Sequence, residues 1–351
     1  MHLGGMVTYF IFFFSMTGIY AILSLGLNVQ WGYTGETNIG VAGFFAIGAY
    51  ATAILTTPAN SDYLGGFNLP FIIAVVGAII VCAVIALLVG LLTLNLRGDY
   101  LAISTIGIAE IIRLFLTNAE NITGGVRGIP GIPRPLSNIV PGSSGLFFLI
   151  LVLVFLAVIY LALHRLYRSP WVRIMRAIRA NEDAVMAAGK NVLRYRIEAF
   201  VVGSVIMGLG GVLYATFTRF VSPEAFDPIY GTFLVWVMLI TGGSGNNTGA
   251  TTGAVIIWGL WSATDYLTSL LPPGWDTRSS AIRIFLIGVL LELILILRPQ
   301  GIIPERPPKP VDPLEAPPAG RAPARASATT GSTSAAPGGD EPASDTPDST
   351  R

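Results

Sequence analysis

Glu110 and Arg113 stand three residues apart in an otherwise apolar run. On a helix that spacing puts a carboxylate and a guanidinium on one face, close enough to pair. Little else in the chain has the spacing of reactive chemistry. His2 and His164 are the only histidines and Cys82 the only cysteine, so neither a His triad nor a paired-Cys metal site can be assembled. The one Gly-Lys pair, Gly189-Lys190, is followed by Asn191, and the glycine-rich cradle with its Ser/Thr hydroxyl that Mg-nucleotide binding needs is not there. These residues predict a chain with no catalytic residue, no metal ligand and no directly bound cofactor. The other concentration of charge lies between His164 and Ile197, which holds 8 of the 21 basic residues.

The elements that must carry these groups are long and apolar. Only 12% of the 351 residues are charged, against about 25% in an ordinary soluble domain. No Asp, Glu, Lys or Arg precedes Glu36, and none lies between Glu36 and Asp62, Asp62 and Arg97, or Asp227 and Asp265. A bilayer core takes roughly 20 apolar residues of helix to cross. The qualifying stretches are 7–29, 37–57, 70–96, 101–117, 145–163, 199–218, 231–242, 249–268 and 280–297. They predict an all-α polytopic membrane protein with about nine transmembrane helices, in a range of about eight to ten. The run lengths do not fit the ~10-residue alternating strands of a barrel. A net charge of +1 offers no general attraction to nucleic acid. The basic 164–197 segment belongs on the cytoplasmic side, as do Arg298, Arg306 and Lys309 near the C-terminus. Counting spans back from there puts the N-terminus outside. Residues 1–304 form the expected membrane domain. The remainder, 305–351, holds 10 of the 23 prolines and only Val311 and Leu314 as large aliphatics, a composition that predicts a disordered cytoplasmic tail.

Within the basic segment, Ser169-Pro170 has the form of an N-cap followed by proline at the first helical position. Trp171, Ile174, Met175 and Ile178 then make one apolar stripe, with Arg173, Arg176 and Arg179 on the opposite side toward lipid phosphate or cytosol. Asn181 can cap a second, very short helix with Glu182 and Asp183 in its first turn, Ala184 and Ala188 on one face, and Gly189 to end it. Two roles are open to Glu110 and Arg113: a self-neutralising pair that fixes helix rotation, or part of a translocation path. For Gly32, Gly35, Gly43, Gly48, Gly242, Gly243 and Gly245 the first reading is close helix packing, with helix breaks as the alternative.

The string Arg176 to Phe200, R-A-I-R-A-N-E-D-A-V-M-A-A-G-K-N-V-L-R-Y-R-I-E-A-F, resembles the cytoplasmic loop of ABC-importer permeases, and Asp183-Ala184-Val185 with Gly189 is a degenerate E-A-A-x-x-x-G motif. Gly32-Tyr33-Thr34-Gly35 and Gly43 to Tyr50 (GFFAIGAY) are similar to segments of the Liv-type M-subunit permeases for branched-chain amino acids. So are Arg97 to Ile103, Glu110 to Arg113, Thr123 to Gly125, Gly210 to Ala215 and Val221 to Pro223. Where that family has an S-L-G-H-A-type string, this chain has Thr37-Asn38-Ile39-Gly40-Val41, so a role for that His has no counterpart here. The resemblance covers about residues 17–304 and implies an ABC importer permease fold in the plasma membrane, with Asn181 to Gly189 as a coupling helix. It further implies a second homologous permease subunit, two ATP-binding subunits that carry ATP and Mg, and an extracytoplasmic substrate-binding protein. Branched-chain amino acids are the implied cargo. Urea or short-chain amides are the alternative within the superfamily, and an ATPase-independent secondary transporter is the alternative outside it.

Overall fold

The computed structural model describes residues 2–59, 63–96, 98–135, 144–269, 276–298 and 300–305. Arg97, Arg306, Lys309 and the remainder of the expected tail lie outside the described residues. A helix occupies each of the nine apolar stretches: α1 His2–Leu27, α2 Val41–Thr56, α3 Phe71–Thr93 and α4 Asp99–Asn118 come first. A single turn, α5 Glu120–Thr123, precedes α6 Ser144–Tyr167. The basic segment folds as α7 Pro170–Ala180 and α8 Glu182–Ala187, and α9 Val192–Thr218, α10 Leu234–Gly242, α11 Asn247–Ser269 and α12 Asp276–Leu297 complete the order. Among the described residues, five helices are long and apolar enough to cross a membrane, and the helical segments at 41–56 and 229–242 are shorter. A two-residue antiparallel pairing, β1 Ile129–Pro130 with β2 Phe220–Val221, joins the segment after α4 to the end of α9.

α9 lies at the centre, packed on α1, α2 and α3. Small residues let it approach that closely, since in lipid helix association relies on packing rather than on apolar burial from water. A Cβ added at Gly26 of α1 would stand 2.7 Å from the Gly203 carbonyl oxygen of α9, and one at Gly48 of α2 would overlap the Gly208 backbone. Gly48→Leu should therefore force α2 off α9 and destabilise the subunit by at least about 1–3 kcal/mol, the usual cost of overpacking. Gly107→Ala on α4, where nothing lies within 4 Å of the new methyl, should leave stability unchanged or raise it by up to about 1 kcal/mol. Thermal unfolding of both variants in detergent checks the contrast.

Two helices are broken by π turns. Asn28–Tyr33 widens the end of α1, and Ile229–Phe233 precedes α10. The first break is polar and buried, so its groups need partners. Asn28 Nδ2 and the Tyr33 hydroxyl both donate to Asn247 Oδ1, at 2.9 and 2.6 Å. The Gly245 N–H donates to Asn28 Oδ1 at 2.8 Å. Gln30 Nε2 donates to Phe200 O at 2.8 Å and to Ser204 Oγ at 3.0 Å, while Asn38 Nδ2 donates to Gln30 Oε1 at 2.7 Å. The α10–α11 connection is held by the far end of the described chain: the Ile302 and Ile303 N–H groups donate to Thr241 O and Gly242 O, each at 2.9 Å. The broken α1 and the α10–α11 turn thus form one hydrogen-bonded centre.

Candidate coupling site

The α7–α8 unit is built from local signals. Ser169 Oγ accepts from the Val172 N–H at 3.5 Å ahead of Pro170, and Asn181 Oδ1 accepts from the Ala184 N–H at 3.0 Å. α8 ends where Gly189 takes φ +75°, a conformation without penalty for glycine, and its N–H donates to Met186 O at 2.9 Å. Val172, Met175 and Ile178 of α7 are buried, with Trp171 and Ile174 partly so. Val185 is the buried residue of α8, packed with Ile178 and Val192, whereas Asp183, Ala184, Met186, Ala187, Ala188 and Gly189 are exposed. The result is a short, sharply ended helix that rests on one apolar residue and presents small side chains outward. A further cap at Asn191, whose Oδ1 accepts from the Arg194 N–H at 3.2 Å, starts α9. Its signal is an Asn directly before an apolar-periodic run.

Of the three arginines expected to face away from the apolar stripe, Arg173 and Arg179 are exposed and Arg176 is partly buried. Arg176 and Arg179 turn to Glu305, with Arg176 Nε 2.8 Å from Oε1 and Arg179 Nη2 2.5 Å from Oε2. Arg179 also donates to the Gly32 carbonyl, and Arg176 sits 5.2 Å above the Tyr167 ring. An amphipathic pattern says only that a residue is off the apolar face. Glu305, which the composition placed at the start of the tail, is what covers these two.

The second charge cluster has no local signature. Arg196, in the first turns of α9, makes a bidentate contact with Glu36 in the loop before α2, with Nη2 3.0 Å from Oε2 and Nε on Oε1. The two side chains are 10% and 5% exposed. Glu182 of α8 stands 3.7 Å from the same guanidinium. Burial pushes the Glu36 carboxyl above its usual range, and the hydrogen-bonded Arg196 pulls it back. A cleft of about 290 Å³ opens beside the pair, lined among others by Thr37, Arg179, Glu182 and Asp183. The available signal was Glu36 itself, a lone charge between long apolar stretches.

Glu110 and Arg113 meet on α4, with Nε 2.9 Å from Oε2, and their side chains are 37% and 29% exposed. The two side chains are each other's partners, within one turn of α4. Of the singled-out glycines, Gly32 packs on Asn28 and Gly245, Gly43 on Ala109 and Gly48 on Gly208. Gly242 packs on Gly249. Gly35, Gly243 and Gly245 take positive φ, at +79°, +114° and +81°. Gly32, Gly35, Gly243 and Gly245 therefore surround the broken centre, and Gly43, Gly48 and Gly242 sit in helix seams. Among the described residues no three His, Cys, Asp or Glu side chains gather as a metal site would require.

Residues 9–295 match the family model described as branched-chain amino acid transport system / permease component. A probable branched-chain amino acid transport permease protein LivM of Methanocaldococcus jannaschii is 32% identical over 83% of this chain and 92% of its own length. The high-affinity branched-chain amino acid transport system permease proteins LivM of Salmonella typhimurium and Escherichia coli are 34% and 33% identical over 84% of this chain and 70% of theirs. No solved structure matches the chain. The apolar helices, the central α9 and a match running through all of them agree: this multi-pass membrane protein belongs to the family of permease components of branched-chain amino acid transport systems.

Proposed function

We propose that the chain is one permease subunit of an ATP-driven importer for branched-chain amino acids. It forms half of the translocation pore with a second homologous permease. Two ATP-binding subunits carry ATP and Mg, and an extracytoplasmic binding protein delivers the substrate. The subunit lies in the plasma membrane with its N-terminus outside and the α7–α8 unit and C-terminus in the cytoplasm, where the positive-inside rule puts the basic residues. The observation that carries the reading is the construction of α8. It offers exposed Ala184 and Ala188 to a partner, and its Glu182 reaches through Arg196 to Glu36 beside the broken α1. A push on α8 therefore arrives at the centre of the bundle. Glu110 and Arg113, about one-third exposed on α4, are assigned to the wall of the route rather than to the lipid face, where an ionised pair would be costly. The LivM relatives, described as branched-chain amino acid transport permeases, support the choice of cargo.

Reconstitution of the chain with its ATPase, second permease and binding protein tests this. Uptake of leucine, isoleucine or valine that needs ATP, is competed by the other two and is indifferent to urea or short amides is the expected result. The purified subunit alone should turn over no ATP. Uptake driven by an ion gradient without the ATPase would sink the proposal.

A further inference from the structure

We infer that Glu305 is a positioning residue, a node through which movement of α7 reaches the π turn of α1 and the glycine turn between α10 and α11. The inference rests on the reading of α7–α8 as the coupling unit. Each carboxylate oxygen of Glu305 holds a different arginine of α7, at 2.8 Å for Arg176 and 2.5 Å for Arg179. Arg179 continues to the Gly32 carbonyl in the π turn at the end of α1. On its other side the Glu305 carboxylate lies against Gly245, where an added Cβ would stand 2.6 Å from Oε2, and the Gly245 N–H is bonded to Asn28. The backbone leading to Glu305 is itself fastened to the α10–α11 turn. Ile302 and Ile303 donate to Thr241 and Gly242, and Asn246 Nδ2 lies 3.4 Å from Pro304 O. Gly301 fits only because it has no side chain: at φ +78° an added Cβ would be 2.5 Å from the Gly243 backbone.

Chain order explains why such a tie is needed. α7 and α8 are joined to the bundle covalently through α6 and α9, and neither of those helices contains a break. The π turn of α1 and the glycine turn between α10 and α11 lie elsewhere in the chain. Side-chain contacts must therefore carry motion to them. Arg196 with Glu36 serves the loop after the α1 turn, while Arg179 lies against both Gly32 and Gly245 and Glu305 holds it there, in ion-pair range of Arg176 as well. A carboxylate suits the task, because Oε2 accepts a hydrogen bond from Arg179 while Oε1 stands in ion-pair range of Arg176.

The test has two arms, both on the full chain in a Cys82→Ala background. In the isolated subunit, spin labels at Met186 on α8 and Thr248 at the start of α11 report how firmly the unit is tied. Wild-type protein should give a narrow distance distribution, Glu305→Ala a broad one, and Glu305→Gln an intermediate one. In the reconstituted importer, Glu305→Ala should lower substrate carried per ATP hydrolysed about tenfold, within the usual range for loss of coupling between sites. Co-purification of the ATPase and basal hydrolysis should stay near wild type, an outcome that a general loss of folding would not produce. An unchanged distance distribution, an unchanged transport ratio or a failure to assemble would each overturn the inference. Absence of amino acid uptake by the wild-type importer would instead count against the proposed function, and the spin-label arm would still decide the tie.

Discussion

Replacing Arg196 by alanine is expected to destabilise the subunit by about 3–5 kcal/mol, because it strips the partner from a carboxylate that is almost wholly buried. Glu36 is 5% exposed and its Arg196 contact is bidentate, so the variant leaves a buried charge with nothing to neutralise it. The reverse change should cost less. Glu36→Gln leaves Arg196 with Glu182, an acid already 3.7 Å away and partly open to solvent. The double variant Arg196→Met with Glu36→Gln should recover much of the loss, since replacing both members of a buried pair is often close to neutral. The pH response gives an independent check. Without Arg196, the burial that already raises the Glu36 carboxyl acts unopposed. A carboxyl whose folded pKa is raised adds stability at low pH that is lost as pH rises through that value. Arg196→Ala should therefore lie closer to wild type in acid than at neutral pH. Unfolding in detergent at several pH values measures this. An equal deficit at every pH would mean that Glu36 is not the group left stranded.

The pattern of what was legible follows the range of each interaction. The gaps between charges located all nine apolar helices, because crossing a bilayer makes a demand on composition alone. Ser169 and Asn181 were readable as caps, and Glu110 with Arg113 as a pair, because each partner lies within one helical turn. Arg196 and Glu36 are 160 residues apart and Arg179 and Glu305 are 126 apart, so no local spacing connects them. Gly32 and Gly35 left a break at the end of α1 open, but the partners that allow its polar groups to be buried are hidden for the same reason. Asn28 and Gln30 lie at the end of and just beyond an apolar run, and only Asn247, Phe200 and Ser204, contributed by distant helices, make it cheap to bury them there. The Glu305 contacts of Arg176 and Arg179 were not legible, since their acid comes from a region whose composition reads as a solvated tail.

The remaining large effect belongs to the outer face of α8. Ala184→Arg should leave the subunit folded and at its normal level in the membrane, because Ala184 is exposed, arginine is a good helix former, and the Asn181 cap uses the backbone N–H of residue 184 rather than its side chain. In the complex the same side chain would have to be buried against a partner surface matched to alanine. An unpaired buried charge costs at least several kcal/mol, and each ~1.4 kcal/mol is tenfold in association. Co-purification of the ATPase and substrate uptake should both collapse. The comparison needs an arginine of α7 that takes no part in the Glu305 contacts, which rules out Arg176 and makes Arg173 the suitable one. Arg173→Ala, at an exposed site where a lost ion pair is worth about 0–1 kcal/mol, should transport almost normally. Val185→Asp supplies the opposite case: it strikes the buried residue that seats α8 on Ile178 and Val192, and should lower the stability of the isolated subunit as well as its assembly. If Ala184→Arg assembled and transported like wild type, force would have to enter the bundle through a surface other than α8, and the ionic path from Glu182 to Glu36 would be a static brace.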